Sequence, residues 1–431
     1  MALNAQSRES GMDNVAKHTR SNVLGIVQKS SARTSPSTWL DRWLVNKMLT
    51  AVGAPAISVV LWDGTELTAS QDEPISVLTI HDRQALIALL LDPEYNFGDL
   101  YSVGRVEVLG NFTEFLETVY LAIQKCSNKS FWHRLMAWRH HPRTNSLRGS
   151  RGNITHHYDL SNEFYQRWLD HEAMQYTCAY FPSEDMTLEE AQVAKLHHIC
   201  RKLQLKPGDT VVEAGCGWGG LARFMAKHYG VKVRAFNISH EQIVFARSKA
   251  LEQGLADQIE YVEDDYRNIQ GTYDVFVSVG MLEHVGAQHF HTLGDVIARV
   301  LKKDGRGLVH SIGRNAPGLM NSWIEKRIFP GAYPPSLCEM MDIFEPHELS
   351  VLDVENLRLH YSKTLEHWLQ RFDDCSDEIR QQFDEAFVRA WRLYLAGSIA
   401  AFNTGELQLF QVVFNRALSN DIPWSRAHLY Q

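Results

Sequence analysis

Glu213-Ala-Gly-Cys-Gly-Trp-Gly-Gly220 is the stretch whose residue types and spacing speak most directly of a bound ligand. Glycine allows φ > 0 and lets backbone come close to a bound molecule. The turn follows a short apolar run, Thr210–Ala214, that reads as a buried strand, and open α/β sheets take their ligands outside the carboxyl ends of such strands. Gly215, Gly217 and Gly219 alternate instead of following G-x-G-x-x-G, and no P-loop lysine comes after them, so neither a dinucleotide fingerprint nor a Walker phosphate cradle is present. Glu263-Asp264-Asp265-Tyr266 groups carboxylates with an aromatic ring at another strand end; the plain alternative is a solvated acidic turn. The pairs His156-His157 and His197-His198, and the set His284, His289 and His291, have no recognised metal-ligand spacing, so no metal site is expected.

The elements around the glycine turn read as regular βα alternation. Thr187-Leu-Glu-Glu190 is a capping box that opens a helix running towards Leu203, and Gly230 closes the helix that follows the turn. Strands are expected at Val231–Phe236, Ile259–Val262, Asp274–Val279 and Gly307–Ile312, with helices near Glu241–Gln253 and Phe290–Leu301 between them. Strands separated by helices in this way predict an α/β fold with a doubly wound, mostly parallel sheet. Beyond about 345 the chain looks helical, with an apolar run at Leu407–Phe414 expected as an edge strand.

Upstream lies a smaller α+β unit, expected over 37–125. It has an amphipathic helix carrying Trp39, Leu40, Trp43, Leu44 and Met48, strands at Ile57–Trp62, Ile75–Ile80 and Arg105–Leu109, and helices at Asp82–Leu91 and Phe112–Ile123. It offers no catalytic constellation, and a lipid-binding or dimerisation module is the expectation for it, leaving a homodimer open. Residues 1–36 are polar and aperiodic and read as a disordered tail.

Residues 126–153 carry Lys129, Arg134, Arg139, Arg143, Arg148 and Arg151, no acidic residue, and Phe131, Trp132, Leu135, Met136 and Trp138. Such a stretch suits the interface of an anionic bilayer, where each cation contributes about 1 kcal/mol; an interdomain linker whose aromatics pack on a neighbour is the alternative. Overall, 43 Lys plus Arg against 51 Asp plus Glu argue against a nucleic-acid binder. Six cysteines without C-x-x-C spacing do not resemble a disulfide scaffold. No apolar run is long enough for a membrane span, and a cytoplasmic location, peripheral at the inner membrane surface, is expected.

Glu213 ahead of the G-x-G resembles motif I of S-adenosylmethionine-dependent methyltransferases, and further stretches narrow the resemblance. His157-Tyr-Asp-Leu160 with Asn162-Glu-Phe-Tyr165, Tyr176-Thr-Cys-Ala-Tyr-Phe181, Ser278-Val-Gly-Met-Leu-Glu-His-Val-Gly286, Phe329-Pro-Gly-Ala-Tyr-Pro-Pro335 and Gln411-Val-Val-Phe414 are similar to motifs of the cyclopropane-fatty-acyl-phospholipid synthases and mycolic acid cyclopropane synthases. The resemblance covers about 150 to 420 and implies a Rossmann-like methyltransferase domain, expected over 154–431.

It also implies methyl transfer from S-adenosylmethionine to a cis double bond of an unsaturated phospholipid acyl chain, then proton loss to a bound bicarbonate to close a cyclopropane ring. By that resemblance the bicarbonate ligands are Cys178, Glu283, His310, the backbone of Ile312, and Tyr361. The cofactor contacts are Tyr176, Thr177, Glu213, Gly215, Cys216, Gly217, Trp218, Gly219, Asn237, Ile238, Ser239, Gln242, Asp265 and Tyr266. Two departures stand out. The second strand ends in Asn237, with no carboxylate for the ribose, and Ser398 stands where the family has a cysteine in a late helix.

The implied chemistry suits these residue types. An alkene is a poor nucleophile, so the sulfonium must be held in line with it in a dry pocket. Trp218, Tyr176, Phe181 and Tyr333 could stabilise the developing cation through their ring faces. Glu283 would repel a bound oxyanion unless a proton is shared between them. Each residue has a plain alternative: Cys178 as a small buried hydrophobe, Glu283 as a helix cap, His310 as a core histidine, Tyr361 as packing. Two other functions stay open, methylation without ring closure and a non-catalytic lipid-binding protein that keeps the fold.

Overall fold

The structure, a computed structural model, describes residues 35–125 and 161–430. The expected tail (all but its last two residues), the basic aromatic stretch 126–153 and the His157–Leu160 motif lie outside the described residues.

The smaller unit is a four-stranded sheet of β1 (Ile57–Val60), β2 (Glu66–Leu67), β3 (Ser76–Ile80) and β4 (Val106–Leu109), ordered β2-β1-β3-β4. The helix Trp39–Ala51 forms as expected, opened by a capping box between Thr38 and Asp41, but of the expected apolar stripe Trp39, Leu40 and Trp43 are exposed, while Leu44 is half-buried and Met48 packs against the core. Trp39 is 75% exposed, whereas Asp41, Val45 and Leu49 are buried. The reason is electrostatic: Arg83 clamps Asp41 with Nε at 3.1 Å and Nη2 at 2.6 Å, and this charge-assisted fork turns the Asp41 face inward. A helix at Pro93–Ser102, not anticipated from the sequence, starts from Asp92 as N-cap with proline in its first turn.

The larger sheet has seven strands: β5 (Thr210–Ala214), β6 (Lys232–Asn237), β7 (Ile259–Glu263), β8 (Tyr273–Val279), β9 (Leu301–Gly313), β10 (Leu349–Asn356) and β11 (Gln408–Arg416). Their order is β10-β11-β9-β8-β5-β6-β7. The pairings β8–β9, β5–β8, β5–β6 and β6–β7 are parallel, and β11 runs antiparallel to both of its neighbours. The strand order turns between β5 and β8, which places a crevice beyond their carboxyl ends.

The apolar run near 407–414 is therefore not an edge strand. β11 is buried along almost its whole length between β9 and β10, its polar Gln408, Gln411 and Asn415 included, because both of its faces are covered. The edge is β10, whose mixture of Val, Asp and Glu disguised it in the sequence and whose residues are mostly half-buried.

The two units share one hydrophobic cluster, from Leu86 and Phe115 to Trp168, Trp368 and Trp391. Asp99 of the smaller unit takes the Trp323 Nε1–H (3.1 Å) and the Arg327 fork (3.0 and 2.7 Å), while Arg389 donates to the Tyr101 carbonyl at 2.6 Å. Among the described residues, no helix is long and apolar enough to cross a membrane.

Candidate active site

A cavity opens at the carboxyl ends of β5, β6 and β8, and the glycine turn forms one wall. Gly215, Gly217 and Gly219 all have positive φ (82°, 51° and 74°), which only glycine adopts without strain. The turn is tied to β6 by the amides of Gly215 and Cys216, which both donate to the Phe236 carbonyl (2.9 and 3.0 Å). A Cβ on Gly219 would lie 2.5 Å from the Tyr261 hydroxyl, whereas one on Gly217 would meet no protein atom within 4 Å. Gly217 thus presents bare backbone to the cavity.

Tyr176, Thr177, Glu213, Gly215, Cys216, Gly217, Trp218, Asn237, Ile238, Gln242, Asp265 and Tyr266 all line this cavity. Of the cofactor residues inferred from the sequence, Gly219 and Ser239 stand behind the wall, Gly219 against Tyr261 and Ser239 as N-cap of the helix His240–Glu252. In place of a ribose-binding carboxylate, Asn237 donates to the Gly217 carbonyl (3.2 Å) and to Gln242 Oε1 (2.7 Å), joining the glycine turn to the end of β6. Asp265 is held by an Arg267 fork at 2.7 and 2.9 Å.

The opposite wall is a loop fixed from beneath. Asp170 accepts the amides of Ala173, Met174 and Gln175 (2.8, 3.0 and 2.6 Å), and the buried Lys195 donates to Gln175 Oε1 and, at 3.1 Å, to Thr177 Oγ1. Burial pulls Lys195 down to about 8 and pushes Glu213 up to about 8. Glu213 Oε2 and the Tyr266 hydroxyl are buried without a hydrogen-bond partner. A cradle of bare backbone with unpaired polar atoms fits a polar ligand of nucleoside type.

None of the five residues inferred to hold an anion lines this cavity, although Glu283 directly precedes His284 of its wall. Glu283, on the turn after β8, accepts the Ile312 amide through Oε1 at 2.6 Å, while its Oε2 is buried and unpartnered. His310 lies two residues before Ile312 on β9; its Nδ1 faces Gln411 Nε2 at 3.0 Å and its Nε2 is buried and unpartnered. Burial pushes Glu283 up to about 7 and keeps His310 neutral, well below its ordinary value.

Cys178 sits against the Leu357 carbonyl (3.9 Å), and burial keeps its thiol protonated. Leu357 in turn donates to the Leu409 carbonyl (2.9 Å), and Leu409 pairs with Ile312 across β11 and β9. Tyr361 lies one turn along the helix Arg358–Asp374, its amide bonded to Leu357 (3.1 Å) and its ring 4.7 Å from Phe402. Backbone contacts through Leu357 and Leu409 thus link Cys178 and Tyr361 to Ile312, which Glu283 meets directly and which lies two residues from His310 on β9.

Two sequence-based expectations need correction. Phe181 does not line the cavity; it stacks on His367 with Lys363 over its face, so it cannot shield a cation there. Tyr333 joins the site through its backbone, its amide donating to the Glu283 carbonyl (2.7 Å) while its hydroxyl bonds Glu339. Ser398 donates to the Tyr394 carbonyl of its own helix (2.8 Å). Gln175, Met281 and His284 also line the cavity and were not singled out as cofactor contacts, although Met281 and His284 lie inside a quoted motif. Burial pulls His284 down to about 4, so it lines the wall as neutral imidazole.

The sheet order and the cavity at its glycine turn define the class: an S-adenosylmethionine-dependent methyltransferase. The family model described as mycolic acid cyclopropane synthetase matches residues 145–412, and the chain belongs to that family. It is 34% identical over 385 residues to a probable fatty acid methyltransferase of Pseudomonas putida, covering 86% of this chain and 95% of the relative. It is 42% identical over 271 residues to the cyclopropane-fatty-acyl-phospholipid synthase of Escherichia coli K12, covering 63% of this chain and 69% of the relative. The crystal structure of mycolic acid cyclopropane synthase CmaA1 complexed with SAH and CTAB superposes with a TM-score of 0.58 at 29% identity, over 61% of this chain and 97% of that one.

Proposed function

We propose that this protein methylates a cis double bond of an unsaturated phospholipid acyl chain and then directs loss of a proton, assisted by bicarbonate, to form a cyclopropane ring. The observation that carries this reading is the pair of buried, unpartnered polar atoms, Glu283 Oε2 and His310 Nε2, set beside the cavity at the carboxyl edge of the sheet. Native proteins rarely leave such atoms unpaired, because each costs about 1–3 kcal/mol. A small anion with oxygen acceptors would satisfy His310 Nε2 as a donor, and Glu283 Oε2 when that carboxyl carries a proton.

S-adenosylmethionine, when bound, supplies an electrophilic methyl carbon, and bicarbonate supplies a base too weakly nucleophilic to trap a cation. The residues of the chain do the rest. The glycine turn, Asn237, Gln242 and Asp265 would hold the cofactor, and Trp218 and Tyr176 offer ring faces in the cavity wall. Cys178, His310, Tyr361 and the Ile312 backbone would hold the anion among neutral groups. Glu283, pushed up to about 7, carries a proton often enough at neutral pH to share it with an oxyanion. Contact with the membrane surface would fall to the acid-free stretch 126–153.

A second reading, methylation without ring closure, draws support from the P. putida relative, whose alignment extends through most of the chain. Mass spectrometry and proton NMR of lipids from cells expressing the protein separate the two. A gain of one CH2 with ring-specific proton signals supports cyclopropanation, the gain without those signals supports methylation alone, and unchanged lipids overturn both.

A further inference from the structure

We propose that Lys202 and Gln411 are positioning residues that fix the tautomer of His310, so that its Nε2 carries the proton and faces the anion position as a donor. This deepens the reading of His310 given above.

The argument begins with strand register. β9 and β11 pair antiparallel with His310 opposite Gln411, so the two side chains are held as cross-strand neighbours by the sheet itself. Gln411 is fully buried and its amide has two ends to satisfy. Lys202 Nζ lies 2.6 Å from Gln411 Oε1. An ammonium group has donors only, so the amide oxygen must face it. The amide NH2 is thereby turned towards His310 Nδ1, at 3.0 Å. Because this NH2 can only donate, Nδ1 must accept, and the imidazole proton belongs on Nε2. Nε2 is the buried atom that has no partner in the protein.

Lys202 is anchored in turn. Its ammonium reaches Glu355 Oε2 at 2.5 Å, and the same oxygen takes His198 Nε2 at 2.8 Å. Lys202 and His198 come from one helix, Leu188–Lys202, and Glu355 from the edge strand β10. A buried lysine is expensive to keep, and neutralising it needs only Glu355. Its second bond, to Gln411, is the one that orients an amide next to the anion position.

The test reads the tautomer directly, using the full-length chain labelled with 15N-histidine, with His310 assigned by its disappearance in His310→Gln. The wild type should show an unprotonated Nδ1 and a protonated Nε2 at His310. Gln411→Glu replaces the donor NH2 by a carboxylate oxygen and should transfer a proton to Nδ1. Turnover should then fall at least tenfold while S-adenosylmethionine affinity stays within twofold. Lys202→Met should mix the two tautomers and Lys202→Arg should restore the first, which keeps the test decisive if Gln411→Glu fails to fold. A wild-type His310 protonated on Nδ1, or the wild-type tautomer retained in both Gln411→Glu and Lys202→Met, would overturn the proposal. The expected tautomers without bicarbonate-dependent turnover would uphold the relay and overturn the base-site reading instead.

Discussion

Replacing Glu283 by glutamine should slow the enzyme and, above neutral pH, stabilise the fold. The substitution keeps an acceptor for the Ile312 amide, which Glu283 Oε1 takes at 2.6 Å, and removes only the ability to gain and lose a proton. Burial raises the Glu283 carboxyl from 4.5 to about 7, so the folded chain holds its proton over a range where the unfolded chain has released it. In that range the unfolded state binds fewer protons, and stability falls as pH rises. The contribution is fully present below 4.5 and lost by the time pH has passed about 7. At 1.36 kcal/mol per pKa unit, the loss amounts to about 3 kcal/mol. Glutamine does not titrate, so the stability difference between variant and wild type should move by about 3 kcal/mol in the variant's favour from pH 4.5 to pH 8. Thermal melts of both proteins across that range would show it as several degrees of melting temperature. Turnover should fall by about 10²–10⁴, the scale of a lost proton-transfer group, with S-adenosylmethionine affinity unchanged because Glu283 does not line the cofactor cavity. Parallel melting curves together with wild-type turnover would refute both the buried-proton argument and the role given to Glu283.

The two glycines of the turn should respond differently to alanine. Gly217→Ala meets no protein atom, so it should cost only the left-handed strain of about 1–2 kcal/mol while lowering cofactor affinity tenfold or more by calorimetry; undiminished binding would move the cofactor elsewhere. Gly219→Ala drives a methyl against the Tyr261 hydroxyl and should lower the melting temperature more than Gly217→Ala does. Exchanging Arg134, Arg139 and Arg143 together for glutamine should weaken sedimentation with anionic vesicles and flatten its salt dependence. Undiminished binding would assign the 126–153 stretch to linking alone.

The parallel half of the sheet was legible in the sequence because its signals are local. Thr187 and Glu190 mark a helix start, Gly230 a helix end, and Thr210–Ala214 leads into a run of glycines; all stand where expected. The misread elements depend on partners far along the chain. No local pattern says that Arg83 will draw Asp41 inward and leave Trp39 outside, or that β10 will cover β11. The site shows the same division. Most of the cofactor wall comes from residues 213–218 and from strand ends that the alternation predicts, whereas Lys195, Lys202 and Gln411 act through pairings made only once the sheet has closed. Phe181 was misplaced because a motif fixes a residue's position in the chain but not the direction of its ring.

Protonation of Glu283 and occupancy of the anion position should be thermodynamically coupled. A neutral carboxyl donates a hydrogen bond to an oxyanion, an ionised one repels it, and Oε2 has no other partner to take up either role. An anion bound there must therefore raise the proton affinity of Glu283, and equally the proton must raise the affinity for the anion. Below about 7, where the carboxyl is already protonated, the apparent Kd for bicarbonate should be flat; above it, the Kd should rise about tenfold per pH unit as each binding event takes up a proton. Glu283→Gln, which donates at every pH, should show no such rise. Titrating bicarbonate dependence at fixed S-adenosylmethionine between pH 6 and 9 reads both curves. A wild-type affinity that stays constant or tightens with pH would mean that the anion does not meet Glu283, and the charge balance of the site would have to be drawn from Cys178, His310 and Tyr361 alone.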